Sequence, residues 1–262
     1  MEILVCVKRV PTVGGAITLT ADRRAIDTKA SGFTISPHEE CAVEEAVRLV
    51  ERFGGSVTVA TLGPAVAEEQ LRACLALGAS AAVLLETEPG LEVGPIETAA
   101  MLHRLAADGR FDLVLLGNEA SDTGDYQVGI RLAHLLGWPA ATGIKALAVD
   151  DAATSVTASR TYRGVLETFA LELPCVVTVK EGINLPRYPS LPGRLRAKRA
   201  PVTREFAVPG GVSGVWSGAA PDVRMTSLRV PDAPKKQATV LGQGAGAVPA
   251  LVDVLVELGV VS

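Results

Sequence analysis

The feature that most constrains the fold is an alternation, over residues 1–136, of short apolar runs rich in β-forming residues with longer stretches of helical periodicity. The candidate strands are residues 3–10, 56–62, 81–86 and 112–116, and the candidate helices are residues 38–53, 65–77, 95–107 and 125–136. Such alternation is typical of successive βα units, which build a mostly parallel sheet with helices on both faces. The sequence therefore predicts an α/β fold with a doubly wound sheet.

The pattern changes after Trp138-Pro139. Residues 155–160 and 166–173 alternate around a turn near Arg163-Gly164, which predicts an antiparallel hairpin, and the apolar run 175–179 predicts a buried strand. We therefore expect a sheet that is mixed at one side.

The chain beyond Lys180 is rich in proline, glycine and basic residues, and residues 208–237 show no period of either kind. Residues 248–258 have helical spacing, and a lone terminal helix needs a surface to pack against, which a partner subunit could supply. We predict an α/β domain over residues 1–200 and an extended C-terminal arm over residues 201–262.

Composition excludes several classes of function. Lys plus Arg number 25 against 29 Asp plus Glu, a net charge of −4 that does not favour nucleic acid as a partner. The start of the chain lacks a secretory signature, and no apolar run reaches the ~18 residues of a membrane span. We expect a cytoplasmic protein without membrane insertion. Its four scattered cysteines, with no CxxC pair, are expected to be reduced core residues.

No motif for bond chemistry is present in the sequence. The three histidines lie far apart without ligands at metal-binding spacing, so we expect no metal site. There is no Gly-x-Ser-x-Gly elbow and no Walker Gly-Lys-Ser/Thr. The Gly-rich stretch 241–246 has too little chain after it for a βαβ unit, so we interpret it as a turn. These observations favour binding over catalysis, and we predict no catalytic residues.

Three segments fall where a parallel sheet binds ligands, beyond the carboxyl ends of its strands: residues 36–39, 62–64 and 117–128. The small and polar residues of 117–128 allow close approach of the backbone to a charged ligand, although its acids would repel phosphate unless they point away. The alternative is a helix N-cap in which Asp122 or Asp125 satisfies free N–H groups. The sequence leaves both interpretations open.

A basic stretch runs from Arg187 to Arg204, with Tyr188, Leu191 and Leu195 between its charges. It is either a solvated basic loop or a docking loop in which an apolar residue anchors a partner and the charges steer it.

Several separated motifs carry a resemblance to a known family. They are, in order, Val7-Lys8-Arg9-Val10, Ala42-Val43-Glu44-Glu45-Ala46-Val47-Arg48-Leu49, Gly63-Pro64-Ala65, Leu75-Ala76-Leu77-Gly78-Ala79, Leu115-Leu116-Gly117, Leu136-Gly137-Trp138-Pro139, Leu166-Glu167-Thr168, Pro186-Arg187-Tyr188 and Leu191-Pro192. Through them the chain resembles the β subunit of electron-transfer flavoproteins over nearly its whole length. The resemblance implies a Rossmann-like α/β domain, a heterodimer with an α subunit that holds a redox-active FAD, and AMP in this chain in the common form.

The resemblance also implies the site residues. The adenine nucleotide would be bound by Cys6, Ser36, Pro37, His38, Glu39, Leu62, Gly117, Asn118, Glu119, Ala120, Ser121, Asp122, Thr123, Gly124, Asp125, Tyr126, Gln127 and Val128. Residues 181–199 would form a recognition loop for electron donors such as acyl-CoA dehydrogenases, with Leu191 as its apolar anchor. Its docking residues would be Arg187, Tyr188, Leu191, Pro192, Arg194, Arg196 and Lys198. The C-terminal arm would pack on the α subunit.

The chain departs from the common pattern at several positions. It has Ser36-Pro37 in place of Asn-Pro, Tyr126-Gln127-Val128 in place of Asn-Gln-Thr, and Val13 in place of an aromatic residue that approaches the flavin. Pro11, Val128 and Pro189 are more similar to a branch whose β subunit binds a second FAD and bifurcates electrons from NADH. AMP and FAD therefore both remain as ligands of this chain.

Three functions are consistent with these residues. The first is the β subunit of an electron carrier, and the second is the bifurcating form. The third is a stand-alone adenine-nucleotide sensor or ATP-cleaving enzyme that needs no α subunit. The cleaving version lacks support, because Val7-Lys8-Arg9-Val10 stands where a Ser-Gly-Gly-x-Asp phosphate loop would follow the first strand.

Overall fold

The structure of the chain is a computed structural model, which describes residues 1–12, 14, 17–91, 93–107, 110–206, 225–231 and 238–261. The strands are β1 (Glu2–Val7), β2 (Val10–Pro11), β3 (Phe33–Thr34), β4 (Ser56–Gly63), β5 (Ala81–Glu86), β6 (Leu113–Gly117), β7 (Ala140–Ile144), β8 (Ala146–Val149), β9 (Ser155–Tyr162), β10 (Val165–Glu172), β11 (Cys175–Val179) and β12 (Thr203–Phe206). The helices are α1 (Pro37–Phe53), α2 (Glu68–Leu77), α3 (Pro95–Ala106), α4 (Val128–Leu136), α5 (Leu191–Arg199) and α6 (Val248–Glu257), with short 3₁₀ turns at Ala65–Ala67 and Gly244–Ala247.

Seven of these strands form the central sheet, in the order β12-β5-β4-β1-β6-β11-β7. Every neighbouring pair in it is parallel. From β1 the chain adds β4 and β5 on one side, and it then returns to place β6 on the other. The strand order therefore reverses between β1 and β6, and ligands of open α/β sheets bind at such a reversal.

The core lies on both faces of this sheet, which confirms the predicted doubly wound, Rossmann-like α/β fold. On β1, Ile3 and Val5 pack with α1 and α2, whereas Leu4 and Cys6 pack with α3 and α4. Because side chains alternate across a strand and both faces are covered, the central strands β1, β6 and β11 are almost entirely apolar. This explains the continuous apolar runs of the sequence.

The predicted hairpin exists, but the expectation of a mixed central sheet was wrong. β8, β9 and β10 form a separate three-stranded antiparallel sheet. After the hairpin, β11 returns to the central sheet and pairs in parallel with β6 and β7, between which it lies. The alternating pattern of residues 155–173 indicates strands with one solvated face, and nothing local indicates which sheet they join.

Two predicted boundaries move for identifiable reasons. The first strand ends at Val7 and not at residue 10, because the Lys8 N–H donates to the Glu39 carboxylate and not to a neighbouring strand. The helix predicted from residue 125 begins at Val128, because Tyr126 has a φ of 58°, a left-handed conformation that an α-helix does not contain.

The chain after residue 200 contributes to the central sheet. β12 pairs with β5 at the sheet edge, so the sheet extends beyond the boundary expected at residue 200, and the division into domain and arm stays a prediction. No residue of α6 is buried. Most of the segment 208–237 and Val13 lie outside the described residues.

The four cysteines are free and buried, as predicted. None of the described helices is both long and apolar enough to cross a membrane. The cytoplasmic location stays a prediction.

Gly129 provides a test of how α4 packs on the sheet. A β-carbon at this position would overlap the methyl group of Thr178, whose hydroxyl is held by Gly143 and Asn118. We expect Gly129→Ala to lower the free energy of unfolding by about 1–3 kcal/mol, measured by urea denaturation. Gly246→Ala, where the new methyl group meets no atom within 4 Å, is the control and should change it by less than about 0.5 kcal/mol. Equal stabilities for the two variants would contradict this packing.

Candidate functional site

A cavity of about 280 Å³ opens beyond the carboxyl ends of β1, β4 and β6, at the point where the strand order reverses. The predicted site residues that line it are Cys6, Glu39, Leu62, Gly117, Asn118, Glu119, Ala120, Thr123, Asp125, Tyr126, Gln127 and Val128. The predicted residues that do not line it are Ser36, Pro37, His38, Ser121, Asp122 and Gly124. The structure thus brings the three predicted loop segments to one place.

Several lining residues were missed by the sequence analysis. They are Val7, Lys8, Arg9, Thr87, Leu91, Val93, Pro95, Thr98, Leu102, Leu116 and Gly129, whereas Gly63 and Pro64 belong to the predicted segment 62–64. A usable signal existed for some of them, since Lys8 and Arg9 directly follow the first strand and Thr87 directly follows β5. For Leu91 to Leu102 there was none, because only the packing of α3 against α4 brings them to this edge.

The floor of the cavity is formed where α1 begins. Ser36 is the N-cap and Pro37 the first helical residue, a combination that suits a helix start. The Glu39 carboxylate accepts the Ser36 N–H at 3.0 Å and the Lys8 N–H at 3.0 Å. Gly117, at the end of β6, lies so close that a β-carbon there would come within 2.8 Å of the Glu39 side chain. A larger residue at this position would push α1 away from the sheet.

Burial governs the protonation of this floor. Glu39 is only 5 % exposed, and this burial raises its pKa to about 7, although the hydrogen bonds from Ser36 and Lys8 oppose the shift. Burial also raises the pKa of the Cys6 thiol to about 12, and the nearby Glu39 adds to this. Cys6 is therefore a neutral thiol at physiological pH and not a nucleophile.

The loop at residues 117–128 is held to the end of β1 by an ion pair. Lys8 Nζ lies 2.8 Å from Asp122 Oδ1 and 3.4 Å from Thr123 Oγ1. The N-cap of α4 is Gln127, and no side chain caps this helix. The alternative in which Asp122 or Asp125 caps the helix was therefore wrong. The first N–H groups of α4 stay available to a ligand, and one of the acids that would repel an anion is neutralised.

The other polar groups of the loop are also fixed. Asn118 Oδ1 accepts the Thr178 hydroxyl at 2.8 Å, which leaves the amide N–H groups of Asn118 to act as donors. Glu119 accepts a hydrogen bond from the Tyr126 hydroxyl, which raises the pKa of that tyrosine. Glu119 also lies 4.0 Å from His38, but burial outweighs its effect and lowers the pKa of His38.

The first half of the predicted recognition loop is held on α1 by ion pairs and hydrogen bonds. Arg187 forms ion pairs with Glu44 at 2.9 Å and with Glu51 at 2.6 Å, both on α1. Within the same segment, the Asn184 amide donates to the Cys41 carbonyl at 3.0 Å. The charge of Arg187 is therefore paired with two carboxylates of this chain.

The second half of this segment is the helix α5, which packs on α2. Ser190 caps it by accepting the Gly193 N–H at 3.1 Å, and Arg72 of α2 donates to the carbonyl of Ala197 at 2.6 Å. Arg196 donates to the carbonyl of Leu75 at 3.4 Å. A rigid surface results, whose docking role stays a prediction.

The outer face of this surface is apolar and basic. Leu191 is 70 % exposed and Tyr188 is 94 % exposed, which is unusual for large apolar side chains. Pro192, Arg194, Arg196 and Lys198 are exposed beside them. Among the described residues, no group of three His, Cys, Asp or Glu side chains could hold a metal ion.

Fold and site together define an α/β protein with a ligand cavity at the strand reversal of a parallel sheet. Residues 24–208 match the model of the electron transfer flavoprotein domain. The chain is 38 % identical over 203 residues to the electron transfer flavoprotein subunit beta of Bacillus subtilis (strain 168), covering 77 % of each chain. It is 34 % identical over 243 residues to the subunit of the same name from Homo sapiens, covering 92 % of each chain. The one from Bradyrhizobium diazoefficiens is 36 % identical over 215 residues, 81 % of this chain and 84 % of the relative.

The chain therefore belongs to the electron transfer flavoprotein family, and the resemblance to its β subunits is confirmed.

Glu39 makes the stability of the protein depend on pH in a defined direction. Since its pKa rises from 4.5 to about 7 on folding, the folded chain retains a proton that the unfolded chain releases between these values. The contribution of Glu39 to the free energy of unfolding is therefore fully present below about pH 4.5 and is lost as the pH rises to about 7.

We expect Glu39→Gln to remove this part of the pH profile. The difference in unfolding free energy between wild type and variant should change by roughly 2–3 kcal/mol across that range in urea titrations. Glu172→Gln, at an exposed position of β10, is the control and should retain the wild-type profile. A Glu39→Gln difference that is constant with pH would contradict the raised pKa.

Proposed function

We propose that this chain is the β subunit of a heterodimeric electron-transfer flavoprotein. In this proposal an α subunit holds the redox-active FAD, which accepts electrons from dehydrogenases such as acyl-CoA dehydrogenases and passes them on. The chain itself is an electron-carrier subunit and not an enzyme. The observation that carries the proposal is the match of residues 24–208 to the electron transfer flavoprotein domain.

We further propose that the cavity binds an adenine nucleotide. Its volume of about 280 Å³ lies just below the ~300–1,000 Å³ typical of ligand pockets. The donor groups of Asn118 and the uncapped start of α4 suit the close approach of a phosphorylated ligand. A nucleotide bound here would stabilise the folded chain by linkage, without redox work.

The alternative within the family is a β subunit that binds a second FAD and bifurcates electrons from NADH. The observation that favours it is Val128, whose apolar side chain lines the cavity at the first residue of α4 where the common form has a polar ligand. A flavin in this position would supply hydride acceptance and single-electron transfer, and this chain would bind and orient it.

The recognition segment fits the docking role in one further respect. Because α1 and α2 hold residues 184–199 in place, little conformational entropy would be lost when an acidic partner binds. The exposed Leu191 supplies the apolar anchor and the surrounding cations supply steering. The C-terminal helix α6, which has no buried residue, is proposed to pack on the α subunit.

The test of the proposed function is to denature the purified chain with whatever subunit co-purifies and to count the released nucleotides by chromatography. We expect one FAD and one AMP per heterodimer. Two FAD molecules would establish the bifurcating alternative. No nucleotide and no partner subunit would overturn the proposal, and a nucleotide bound to the isolated chain without a partner would favour a stand-alone sensor.

Leu191→Ala tests the docking surface. Removing an apolar anchor worth about 1.5–3 kcal/mol should lower the second-order rate of electron uptake from a partner dehydrogenase by roughly ten- to hundredfold. The flavin spectrum and the heterodimer should not change. The matched control is Leu185→Ala, in the same segment and 83 % exposed, which should react at the wild-type rate. Unchanged uptake in Leu191→Ala, or equal losses in both variants, would refute the assignment of the anchor.

A further inference from the structure

Arg9 is the one cation lining the described cavity that has no carboxylate partner. The other lining cation, Lys8, is paired with Asp122 at 2.8 Å. No carboxylate of the described residues lies within ion-pair distance of Arg9, and its buried Nε has no hydrogen-bond partner. Burial lowers the pKa of Arg9, while the more distant Glu69 acts in the opposite direction. Buried donors of this kind are rare in folded proteins, so the Arg9 side chain has hydrogen-bonding capacity that the described residues leave unused.

The guanidinium group is held in a defined plane. Its central carbon lies 3.2 Å from the centroid of the Phe33 ring, so the ring covers one face of the group. Phe33 belongs to β3, which pairs with Pro11 of β2 directly after Arg9. The stack therefore fixes the direction in which the guanidinium donors point, and less side-chain entropy is lost when they bind an acceptor.

The chemistry of the acceptor follows from these observations. A planar guanidinium with several fixed donors matches the oxygens of a phosphate or carboxylate. Three carboxylates of the described residues line the cavity, and none of them forms an ion pair with Arg9: Glu39 accepts two backbone N–H groups, Glu119 accepts the Tyr126 hydroxyl, and Asp125 lies beyond ion-pair distance of the guanidinium group. Since no carboxylate of the described residues occupies these donors, they suit an anion that comes from outside the chain.

We propose that Arg9 binds the phosphate of the adenylate group that AMP and FAD share, and that the Arg9–Phe33 stack thereby selects phosphorylated ligands over the bare nucleoside. This inference rests on the proposed nucleotide-binding function of the cavity. It adds to the predicted site a cation that the sequence analysis left out.

The experiment compares AMP, adenosine and FAD by calorimetric titration of the full chain, prepared with any co-purifying subunit and freed of bound nucleotide. Loss of a charge-assisted hydrogen bond in Arg9→Gln should weaken AMP binding by about ten- to hundredfold, with adenosine binding unchanged. Arg9→Lys retains the charge without the planar fork and should give a smaller loss. The matched control is Arg52→Gln, because Arg52 also stacks on a phenylalanine, 4.7 Å from the Phe53 centroid, but lies outside the cavity.

Each outcome is decisive. Equal weakening of AMP and adenosine in Arg9→Gln would overturn the inference, because Arg9 would then only shape the cavity, and so would unchanged AMP binding while wild type binds AMP. In both cases the proposed nucleotide function would survive. Wild-type chain that binds none of the three ligands would overturn the proposed nucleotide function and this inference together.

Thermal unfolding without ligand shows whether Arg9→Gln folds. If it does not fold, the comparison of wild type with Arg9→Lys is the test. Tighter binding of FAD than of AMP would identify FAD as the occupant, and weakening of both ligands in Arg9→Gln would support the shared phosphate contact.

Discussion

The contact on which the rest of the structure depends is the Glu39 carboxylate at the junction of β1 and α1. It accepts the backbone N–H groups of Lys8 and Ser36, and so it ends the first strand and begins the first helix at one point. Gly117 lets β6 approach this junction closely. A carboxylate this deeply buried is costly to ionise, which is why its pKa rises to about 7. The same group therefore shapes the cavity floor and makes the stability of the chain sensitive to pH.

The two walls of the cavity are built by different means. The loop at residues 117–128 is drawn towards β1 by the Lys8–Asp122 ion pair, which removes a negative charge from a place where an anion would bind. On the side of Arg9, the short β2–β3 ribbon holds Phe33 against the guanidinium group. An uncapped helix start and a positioned cation together favour a phosphorylated ligand in a way that neither does alone.

The recognition segment shows how a surface can be both exposed and rigid. Glu44 is only 3 % exposed, and burial alone would raise its pKa, but hydrogen bonds from Arg187 and Arg48 outweigh this and lower it. This buried carboxylate fixes Arg187, and Arg72 fixes the end of α5. The exposed Tyr188 and Leu191 are therefore displayed on a supported backbone, as the proposed docking role requires.

The sequence by itself determined the fold class and the edge of the sheet at which the site lies, because βα alternation and buried apolar runs are local properties. It also indicated most of the loop residues that line the cavity. Only the tertiary structure decided that the 155–173 hairpin leaves the central sheet, that Asp122 pairs with Lys8 instead of capping a helix, and that Arg9 stacks on Phe33. The last two outcomes depend on contacts between residues separated by more than twenty positions. Their charges and shapes can be read from the sequence, but their partners are set by packing.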